Sequence, residues 1–407
     1  MFSHRPLAIL LLSLLWACTA PASTLDITAE FKPSASNPNN VDFINSTPLS
    51  GFCQQFPASC LPSDVTISFP LTIQRTWQTP GPLNEQNYQR IDGTWKEVVV
   101  NSDSGAPSAA LRFRINLLSR NYNVGTLEPG GATGHFMTVI GNMAGRYGST
   151  VGGCAGRVGV GHTLWYRFAW LVPESFTVCS RPAVNSTPFG PYRGSLDQIS
   201  IGYHLVAPSP LKLRNGTYRG SITYQIGEGQ QIDLGTGVYD DNQLTINFEL
   251  TVEHQIRIDF PPGSERAVLE PPNGWAAWIN QKRPPPKLSR DHPMQIWASA
   301  PLKVYLRCEY TVGDRCGIAE TAGAGYQAPV TVALSLPENM RYNGAPASRL
   351  PLPVGEGAAL TFDSIAPTFG KQGQLHYSVQ GPELAEMLKR AGSRYQGDVW
   401  IVFDAQL

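Results

Sequence analysis

The segment from Leu164 to Trp170 holds the residues best suited to binding a ligand. Its sequence is Leu-Trp-Tyr-Arg-Phe-Ala-Trp, and the even-numbered positions would form an apolar face if the segment is a strand. Trp165 and Arg167 would then point to the opposite face. There an indole can stack on a sugar ring, and a guanidinium can donate hydrogen bonds to sugar hydroxyl or carboxylate groups. The alternative is that packing of one sheet on another buries Trp165.

Three further residues are candidates for receptor binding because they lie in predicted loops, and loops commonly carry binding sites. They are Arg181, which is close to Cys179, and Tyr192 and Arg193 in a stretch rich in proline and glycine. Together with Trp165 and Arg167 they are the five predicted receptor-binding residues.

The sequence contains no arrangement typical of catalysis or of a metal site. The glycine-rich stretch 125–161 has no lysine, which argues against a phosphate-binding loop. The seven histidines occur singly, without the spacing of a zinc hydrolase, and no Gly-x-Ser-x-Gly sequence is found. We therefore expect no enzyme activity, no metal and no other cofactor.

Six of the seven cysteines form three couples that are close in sequence. An even number of cysteines in an exported chain indicates disulfides. Zinc ligation is disfavoured because no couple has the two-residue gap of a zinc knuckle and no histidine lies near one. The predicted disulfides are Cys53 with Cys60, Cys154 with Cys179, and Cys308 with Cys316.

The N-terminus is typical of a secretory signal peptide, which we assign to residues 1–22. A basic start is followed by an apolar stretch at 7–16 and by Ala-Pro-Ala at 20–22, a small-x-small cleavage site. The mature chain would then begin at Ser23. The minor alternative is lipidation of Cys18, although the tryptophan two residues before it fits that signal poorly. No other apolar run is long enough to span a bilayer, so we expect no direct membrane insertion.

The composition favours an all-β fold and excludes a general attraction to polyanions. Lys plus Arg and Asp plus Glu both number 31, so the net charge is zero and neither nucleic acid nor an anionic membrane is an expected partner. The 39 glycines and 34 prolines are typical of many strands separated by turns. The length after the signal suits two β-sandwich domains.

A domain break is predicted where His254 interrupts a long alternating run. From Leu244 to Phe260 all even positions except His254 are apolar, and a strand of that length is rare in one sheet. We interpret the run as the last strand of an N-terminal domain, residues 23–252, followed by the first strand of a domain formed by residues 253–407. His254 is then expected at the rim of the junction rather than in a ligand site.

Two local signals support the all-β interpretation of both halves. Tyr218 and Tyr395 each precede a predicted strand, as do the tyrosines that bond back to the main chain in Greek-key sandwiches. The one predicted helix covers residues 383–391, with Pro382 at its start and Gly392 after its end.

The last residues predict a strand that ends with the chain. Apolar residues alternate over Val399, Ile401 and Phe403, and the sequence ends at Leu407. We expect no later segment to cover the open edge of this strand. Because an uncovered apolar edge invites aggregation, a strand from another chain is expected to pair with it.

The chain resembles a two-domain chaperone–usher fimbrial tip adhesin. The resemblance rests on the signal peptide, the disulfide-bearing N-terminal domain, the second domain and the terminal strand, Tyr395-x-Gly397-x-Val399-x-Ile401-x-Phe403. In that family the second domain is an incomplete immunoglobulin-like pilin domain that lacks its last strand. A periplasmic chaperone fills the gap first, and the next pilus subunit replaces it at the outer-membrane usher. The N-terminal domain carries the receptor site.

The resemblance implies an export route and a set of partner-binding residues. The protein would pass through the periplasm to the tip of a fimbrium on the cell surface. The Leu407 carboxylate would be held by basic chaperone residues. Cys308 and Cys316 depart from many pilin domains, whose disulfide bridges distant strands. The implied donor-strand groove is flanked by Ile256, Ile258 and Phe260 on the first strand and by Val399, Ile401 and Phe403 on the last.

We therefore expect an adhesin that binds a surface receptor, a glycan, through its N-terminal domain. A structural or adaptor pilus subunit is an alternative, because Leu25, Ile27, Ala29 and Phe31 alternate and could be donated as a strand. A secreted carbohydrate-active protein is a third, which would require paired carboxylates in a cleft.

Overall fold

The computed structural model describes residues 23–37, 39–79, 81–127, 151–162, 164–181, 189–322, 325–390 and 392–405. The predicted signal peptide and Leu407 lie outside these residues, as do the side chains of Arg181 and Tyr192. The described chain is nearly all β and forms two sandwich-like bodies, as the composition predicted.

The N-terminal sandwich contains strands β1 to β16 and one short helix, α1 (Phe52–Gln55). The first eight strands are β1 Ser23–Phe31, β2 Ile44–Asn45, β3 Thr66–Ser68, β4 Ile73–Thr79, β5 Asn87–Asp92, β6 Lys96–Ser102, β7 Ala109–Leu127 and β8 Val151–Gly152. The next eight are β9 Ala155–His162, β10 Trp165–Leu171, β11 Phe176–Arg181, β12 Phe189–Val206, β13 Gly216–Gln225, β14 Ile232–Asp233, β15 Val238–Tyr239 and β16 Gln243–Val252.

Two sheets enclose the core of the N-terminal sandwich. The large sheet has the order β15-β4-β12-β7-β6-β13-β16-β1-β2, and β10 extends it from β7 toward β9. The small sheet has the order β14-β5-β11-β8. Leu118 and Tyr122 from the large sheet pack in one cluster with Ile91 and Ile232 from the small one, all of them at 0 % exposure. The core therefore lies between the two sheets.

The C-terminal sandwich contains strands β17 to β29 and helices α2 (Ala276–Gln281) and α3 (Gly381–Leu388). Its first six strands are β17 Ile256–Asp259, β18 Lys287–Ala298, β19 Leu302–Cys308, β20 Tyr310–Val312, β21 Arg315–Glu320 and β22 Gln327–Ser335. The others are β23 Met340–Tyr342, β24 Ala345–Pro346, β25 Leu350–Pro351, β26 Leu360–Ser364, β27 Thr368–Gln380, β28 Tyr395–Gln396 and β29 Val399–Ala405. The sheet orders are β17-β18-β27-β22-β21-β20 and β24-β23-β26-β19-β29.

The long alternating run is divided into two strands, as predicted. β16 ends at Val252, and β17 begins at Ile256 in a different sheet. In the described residues, no strand of the N-terminal sandwich pairs with a strand of the C-terminal sandwich.

The first strand belongs to its own N-terminal sandwich. β1 runs parallel to β16, from the pair Ser23–Leu244 to the pair Phe31–Val252. Its inward residues Leu25, Ile27, Ala29 and Phe31 are between 0 and 6 % exposed. The alternative that this segment is donated to another subunit does not describe this structure, in which it closes its own core.

The two predicted tyrosine ties differ. The Tyr218 hydroxyl donates to the Arg214 carbonyl and accepts from the Arg214 amide, both at 3.1 Å, as predicted. The Tyr395 hydroxyl is buried without a hydrogen-bond partner among the described residues, and its ring packs edge-on against Tyr326 instead. The resemblance between the two segments is therefore not structural.

The predicted helix is present but ends earlier than residue 391. α3 stops at Leu388, and the chain continues with a bond from the Arg390 amide to the Met387 carbonyl, so the last turn is tightened to i→i+3 bonding. Gly392 follows with a φ of 83°, as expected after a helix. α2 was not predicted, because six residues are too few to show a helical period.

All three predicted disulfides are present. Cys53 pairs with Cys60 beside α1, and Cys154 pairs with Cys179 of the small sheet. Cys308 at the end of β19 pairs with Cys316 of β21, so this bond ties the two sheets of the C-terminal sandwich together.

Candidate functional site

The C-terminal sandwich has the strand order of an immunoglobulin domain without its final strand. In such domains one sheet has the order A-B-E-D and the other C-F-G. Here β17-β18-β27-β22 corresponds to A-B-E-D, and β19-β29 corresponds to C-F. No described strand occupies the position of G beside β29. Strands β17 and β29 are therefore the edge strands on the side where A and G meet in a complete domain.

The inward side chains of both edge strands are only half covered. Ile256 and Ile258 of β17, and Val399, Ile401 and Phe403 of β29, pack against the core but are not buried. Behind them, the side chains of the next strands, such as Ile296 and Val304, are at 0 % exposure. We call these five half-covered residues the edge groove. They form the partly exposed apolar surface at this edge of the sandwich.

The main chain of β29 is hydrogen-bonded on one side. It pairs antiparallel with β19 from Leu302–Ala405 to Cys308–Val399. Within the described chain its other edge has no partner, so a row of N–H and C=O groups faces outward there. Together with the apolar side chains, this row can accept a strand that supplies both hydrogen bonds and alternating apolar residues.

Phe260 is not part of the edge groove, which corrects the prediction. β17 ends at Asp259, because Pro261 and Pro262 follow and proline cannot donate to a sheet. The Phe260 side chain is 42 % exposed and borders a cavity of about 380 Å³ with Pro293 and Gln372.

Arg167 is buried, which contradicts the prediction that it faces solvent. It does lie on the face away from Tyr166, but its side chain is only 2 % exposed. The guanidinium donates to the Gln55 side chain, to Gln198 Oε1 at 2.7 Å and to the Gln198 carbonyl at 3.0 Å. The pKa of Arg167 is lowered by burial. Helix α1, which carries Gln55 and comes more than a hundred residues earlier, covers this part of the sheet.

Trp165 and Arg193 remain on the outer face of the large sheet. Trp165 is half buried at the start of β10 and is in register with Asn123 of β7. Asn123 in turn pairs with Ser195 of β12, two residues after the exposed Arg193. Arg181 belongs to β11 of the small sheet, so it is not brought together with the other four predicted residues.

A row of polar side chains beside Trp165 was not predicted. We call Asn121, Asn123, Ser195 and Asp197 the polar row. Asn121 Nδ2 donates to Asp197 Oδ1 and to Asn123 Oδ1, both at 2.9 Å. Asn123 Nδ2 donates to Asp197 Oδ2 and, at 3.2 Å, to Ser195 Oγ. In the sequence these residues alternate with apolar neighbours, which any solvent-exposed strand face would also show.

His254 is buried in the junction rather than at its rim. Its backbone amide donates to Asn215 Oδ1 at 2.6 Å, and Nε2 lies 2.8 Å from the Leu213 carbonyl. Because a carbonyl only accepts, Nε2 carries the proton and Nδ1 accepts from Ser299 Oγ at 3.2 Å. Burial lowers the pKa of His254, which favours this neutral form. The side chain thus joins residues of both sandwiches.

Three residues of the C-terminal sandwich have the contacts of a serine hydrolase but are better explained as structural. Ser335 Oγ lies 2.8 Å from His376 Nε2, and His376 Nδ1 lies 2.9 Å from Asp291 Oδ1. However, Ser335 Oγ also accepts the Arg349 amide at 2.9 Å, and Asp291 accepts the Arg349 side chain. This network fastens the segment around Arg349 onto the sheet, and His376 is 5 % exposed.

One group of potential metal ligands occurs in the described part of the chain. Cys53, Cys60 and Asp64 lie close together, but both sulfurs belong to a disulfide and have no thiolate to offer. In the described part of the chain, no helix has the length and apolar character needed to cross a bilayer.

Two of the solved structures that this chain resembles are chains of pilus chaperone–subunit complexes. One, a chain of a chaperone–tip adhesin complex of CFA/I fimbriae biogenesis, is 12 % identical with a TM-score of 0.26 and covers 95 % of this chain and 97 % of its own. The other is a chain of the CsuC–CsuE chaperone–tip subunit complex of archaic Csu pili from Acinetobacter baumannii. It is 9 % identical with a TM-score of 0.22, over 94 % of this chain and 99 % of its own. TM-scores this low do not establish a shared fold. No protein-family model and no curated protein matches the chain.

Proposed function

We propose that this protein is an exported adhesin of a chaperone–usher pilus. Its C-terminal domain, residues 253–407, accepts a strand from a partner chain, and its N-terminal domain, residues 23–252, binds a surface glycan. The observation that carries the proposal is the edge groove between β17 and β29, where the G position of an immunoglobulin domain has no described strand.

The free energy available in the edge groove supports this proposal. Full burial of one large apolar side chain is worth about 1.5–3 kcal/mol. Completing the burial of five half-covered side chains would therefore contribute roughly 5 kcal/mol. The total stability of a domain is only about 5–15 kcal/mol. A C-terminal sandwich without the additional strand is thus expected to be marginal, and a strand-donating partner would stabilise it substantially.

The order of partners follows from the proposed assembly route. After removal of residues 1–22, a periplasmic chaperone would pair with β29 and hold the Leu407 carboxylate. At the outer-membrane usher, the next pilus subunit would replace the chaperone strand. Among the described residues, β1 pairs with β16 of its own sandwich and is therefore not available for donation, which supports a terminal position in the fibre. No catalytic step is part of this function.

A self-complementing variant tests strand acceptance. The full chain is exported to a bacterial periplasm with a C-terminal Asn-Gly turn followed by a copy of β1, STLDITAEF, which alternates apolar residues. We expect this variant to be monodisperse and to melt at a higher temperature than the unextended chain. The matched control carries aspartate in place of the leucine and isoleucine of the added copy, and it should behave like the unextended chain. A monodisperse unextended monomer with the same melting temperature as the variant would refute strand acceptance.

A further inference from the structure

We propose that the polar row beside Trp165 binds a neutral, hydroxyl-bearing sugar and that Asp197 excludes acidic sugars. This inference rests on the proposed receptor-binding function and assigns its ligand class. It also adds to the predicted residue Trp165 a row of polar side chains that the sequence alone did not single out.

Strand register places the polar row and Trp165 on one face. Ser195 of β12, Asn123 of β7 and Trp165 of β10 are direct neighbours across three strands. The adjacent row, Leu196, Tyr122 and Tyr166, is 0 to 2 % exposed and belongs to the core. Because side chains alternate along a strand, the polar row faces away from the core. Asn123, Ser195 and Asp197 are partly exposed there.

Helix α1 sets one boundary of this surface. Phe52 of α1 packs on Leu117 and Ala169 and so covers the same face of the sheet further along. Arg167 lies at the margin of this covered part, where its guanidinium donates hydrogen bonds to the side chains of Gln55 and Gln198. Next to Arg167 on the same face, Trp165 and three residues of the polar row, Asn123, Ser195 and Asp197, are only partly buried. A ligand on the row would therefore meet α1 as a wall on one side.

The hydrogen-bonding capacity of the polar row matches sugar hydroxyls. Each Asp197 oxygen accepts one hydrogen bond from an asparagine, and a carboxylate oxygen has a second lone pair. Ser195 Oγ accepts from Asn123 and keeps its own hydrogen as a donor. The row thus offers charge-assisted acceptors beside a hydroxyl donor. Adjacent sugar hydroxyls, which both donate and accept, satisfy such a set, and the half-buried Trp165 places an aromatic side chain beside Asn123.

A buried atom without a partner marks the same cluster. Asn121 is 3 % exposed, and its Oδ1 has no hydrogen-bond partner among the described residues. A buried polar atom without a partner is unfavourable, so the hydrogen bonds within the cluster do not by themselves satisfy all of its polar atoms. The Asn121 amide instead orients both Asp197 and Asn123 toward the partly exposed surface. It acts as a positioning residue.

The charges of the cluster disfavour an acidic sugar. Asp197 carries the only carboxylate of the polar row, and a ligand carboxylate or sulfate placed on it would meet a like charge. The Arg167 guanidinium is buried, donates hydrogen bonds to two glutamines and already interacts electrostatically with Asp197, so it is not placed to bind the anionic group of a ligand directly. Arg193 lies four residues before Asp197, or about 13 Å along an extended strand, which is too far to contact the same sugar unit.

An array of paired glycans tests the proposal on the exported full chain. The array presents neutral oligosaccharides beside the sialylated and sulfated forms of the same chains. We expect the neutral forms to bind at least about tenfold more tightly than the acidic forms. Asp197→Asn should reduce the affinity for neutral forms by about tenfold or more and narrow the difference between the two classes. Ser195→Ala should give a smaller loss.

A matched control separates recognition from folding. Asp26 of β1 is also a strand carboxylate that accepts from an asparagine on the neighbouring strand, Asn247 Nδ2 at 2.9 Å. Asp26→Asn should leave glycan affinity unchanged. The melting temperature of each variant shows whether Asp197→Asn disturbs the fold, and Ser195→Ala then provides the second test.

Three results would contradict the proposal in different ways. Equal or tighter binding of acidic forms would overturn the ligand class and leave the adhesin function standing. Unchanged affinities in Asp197→Asn and Ser195→Ala would overturn the site. If no glycan is retained at all, both this inference and the glycan part of the proposed function fail, whereas strand acceptance is judged separately by the self-complementing variant.

Discussion

Strands β16 and β29 have the same alternating apolar pattern but opposite surroundings. The inward residues of β16, from Leu244 to Val252, are 0 to 1 % exposed because β1 covers one edge of the strand and β13 the other. The inward residues of β29 are half covered because only β19 pairs with it. Alternation therefore defines which side chains face a core, while the number of neighbouring strands decides whether that core is closed.

The comparison also explains why the first strand is needed where it is. β1 contributes Leu25, Ile27 and Phe31 to the N-terminal core and supplies main-chain partners to β16. No described strand does the same for β29. The N-terminal sandwich thus carries in its own chain the kind of strand that we propose the C-terminal sandwich takes from a partner.

Removing β1 should have the largest effect, because it converts the closed sandwich into an open one. Deletion of residues 23–31 takes away three large buried side chains, worth roughly 5–9 kcal/mol together. We expect the N-terminal sandwich to lose its cooperative unfolding transition in calorimetry. A synthetic STLDITAEF peptide should restore the transition in part. Retention of the transition without the peptide would show that β1 is not required for closure.

A charge introduced at equivalent positions of β16 and β29 should lower the free energy of unfolding by amounts that differ by more than about 4 kcal/mol. Phe248, at 1 % exposure, and Phe403, half covered, are equivalent inward positions of β16 and β29. Phe248→Asp buries an unpaired carboxylate and should abolish folding of the N-terminal sandwich. Phe403→Asp should change the melting temperature of the unextended chain little. In the extended chain it should prevent stabilisation by the added strand. Thermal melts with and without the C-terminal extension test both substitutions. Equal effects of the two substitutions on the melting temperature would contradict the distinction between a closed β16 and an open β29.

On the outer face of the N-terminal sandwich, substitution of the buried Arg167 should affect stability more than substitution of the half-buried Trp165, but by less than the buried charge does. Arg167→Ala removes a buried donor from Gln55 and Gln198, so we expect about 1–3 kcal/mol of lost stability in denaturant titrations. Trp165→Ala should leave stability nearly unchanged and reduce glycan affinity by about 1–3 kcal/mol. A large stability loss in Trp165→Ala would mean that this indole serves packing rather than binding.

The junction between the two regions should respond weakly to pH through His254. Its pKa is lowered by burial, so the unfolded chain takes up a proton more readily than the folded one. The contribution of the neutral side chain is complete above about pH 6.5 and is lost as the pH falls below that value. The slope for one proton is limited to about 1.4 kcal/mol per pH unit. Melting temperatures at pH 7.5 and 5.5 should differ less in His254→Gln than in the wild type. An identical difference in the two proteins would show that His254 does not contribute to the pH dependence of stability.

Local sequence signals predicted several elements but not what covers them. The division of residues 244–260 into two strands, the pairing of the six cysteines and the terminal strand all follow from spacing along the chain. The burial of Arg167 does not, because it depends on α1, which is distant in sequence. The bonds of His254 to Leu213 and Ser299 also join segments about forty residues away. The polar row requires the register of β7 against β12, which no single strand reveals.

Amide hydrogen exchange of the unextended chain tests the central claim most directly, because exchange reports on each strand separately. The account predicts that amides of Val399–Ala405 on the edge away from β19 exchange rapidly, while those of β16 are protected on both edges. In the self-complementing variant, the same β29 amides should become protected and β16 should not change. Equal protection of β29 and β16 in the unextended chain would contradict an open edge in the C-terminal sandwich.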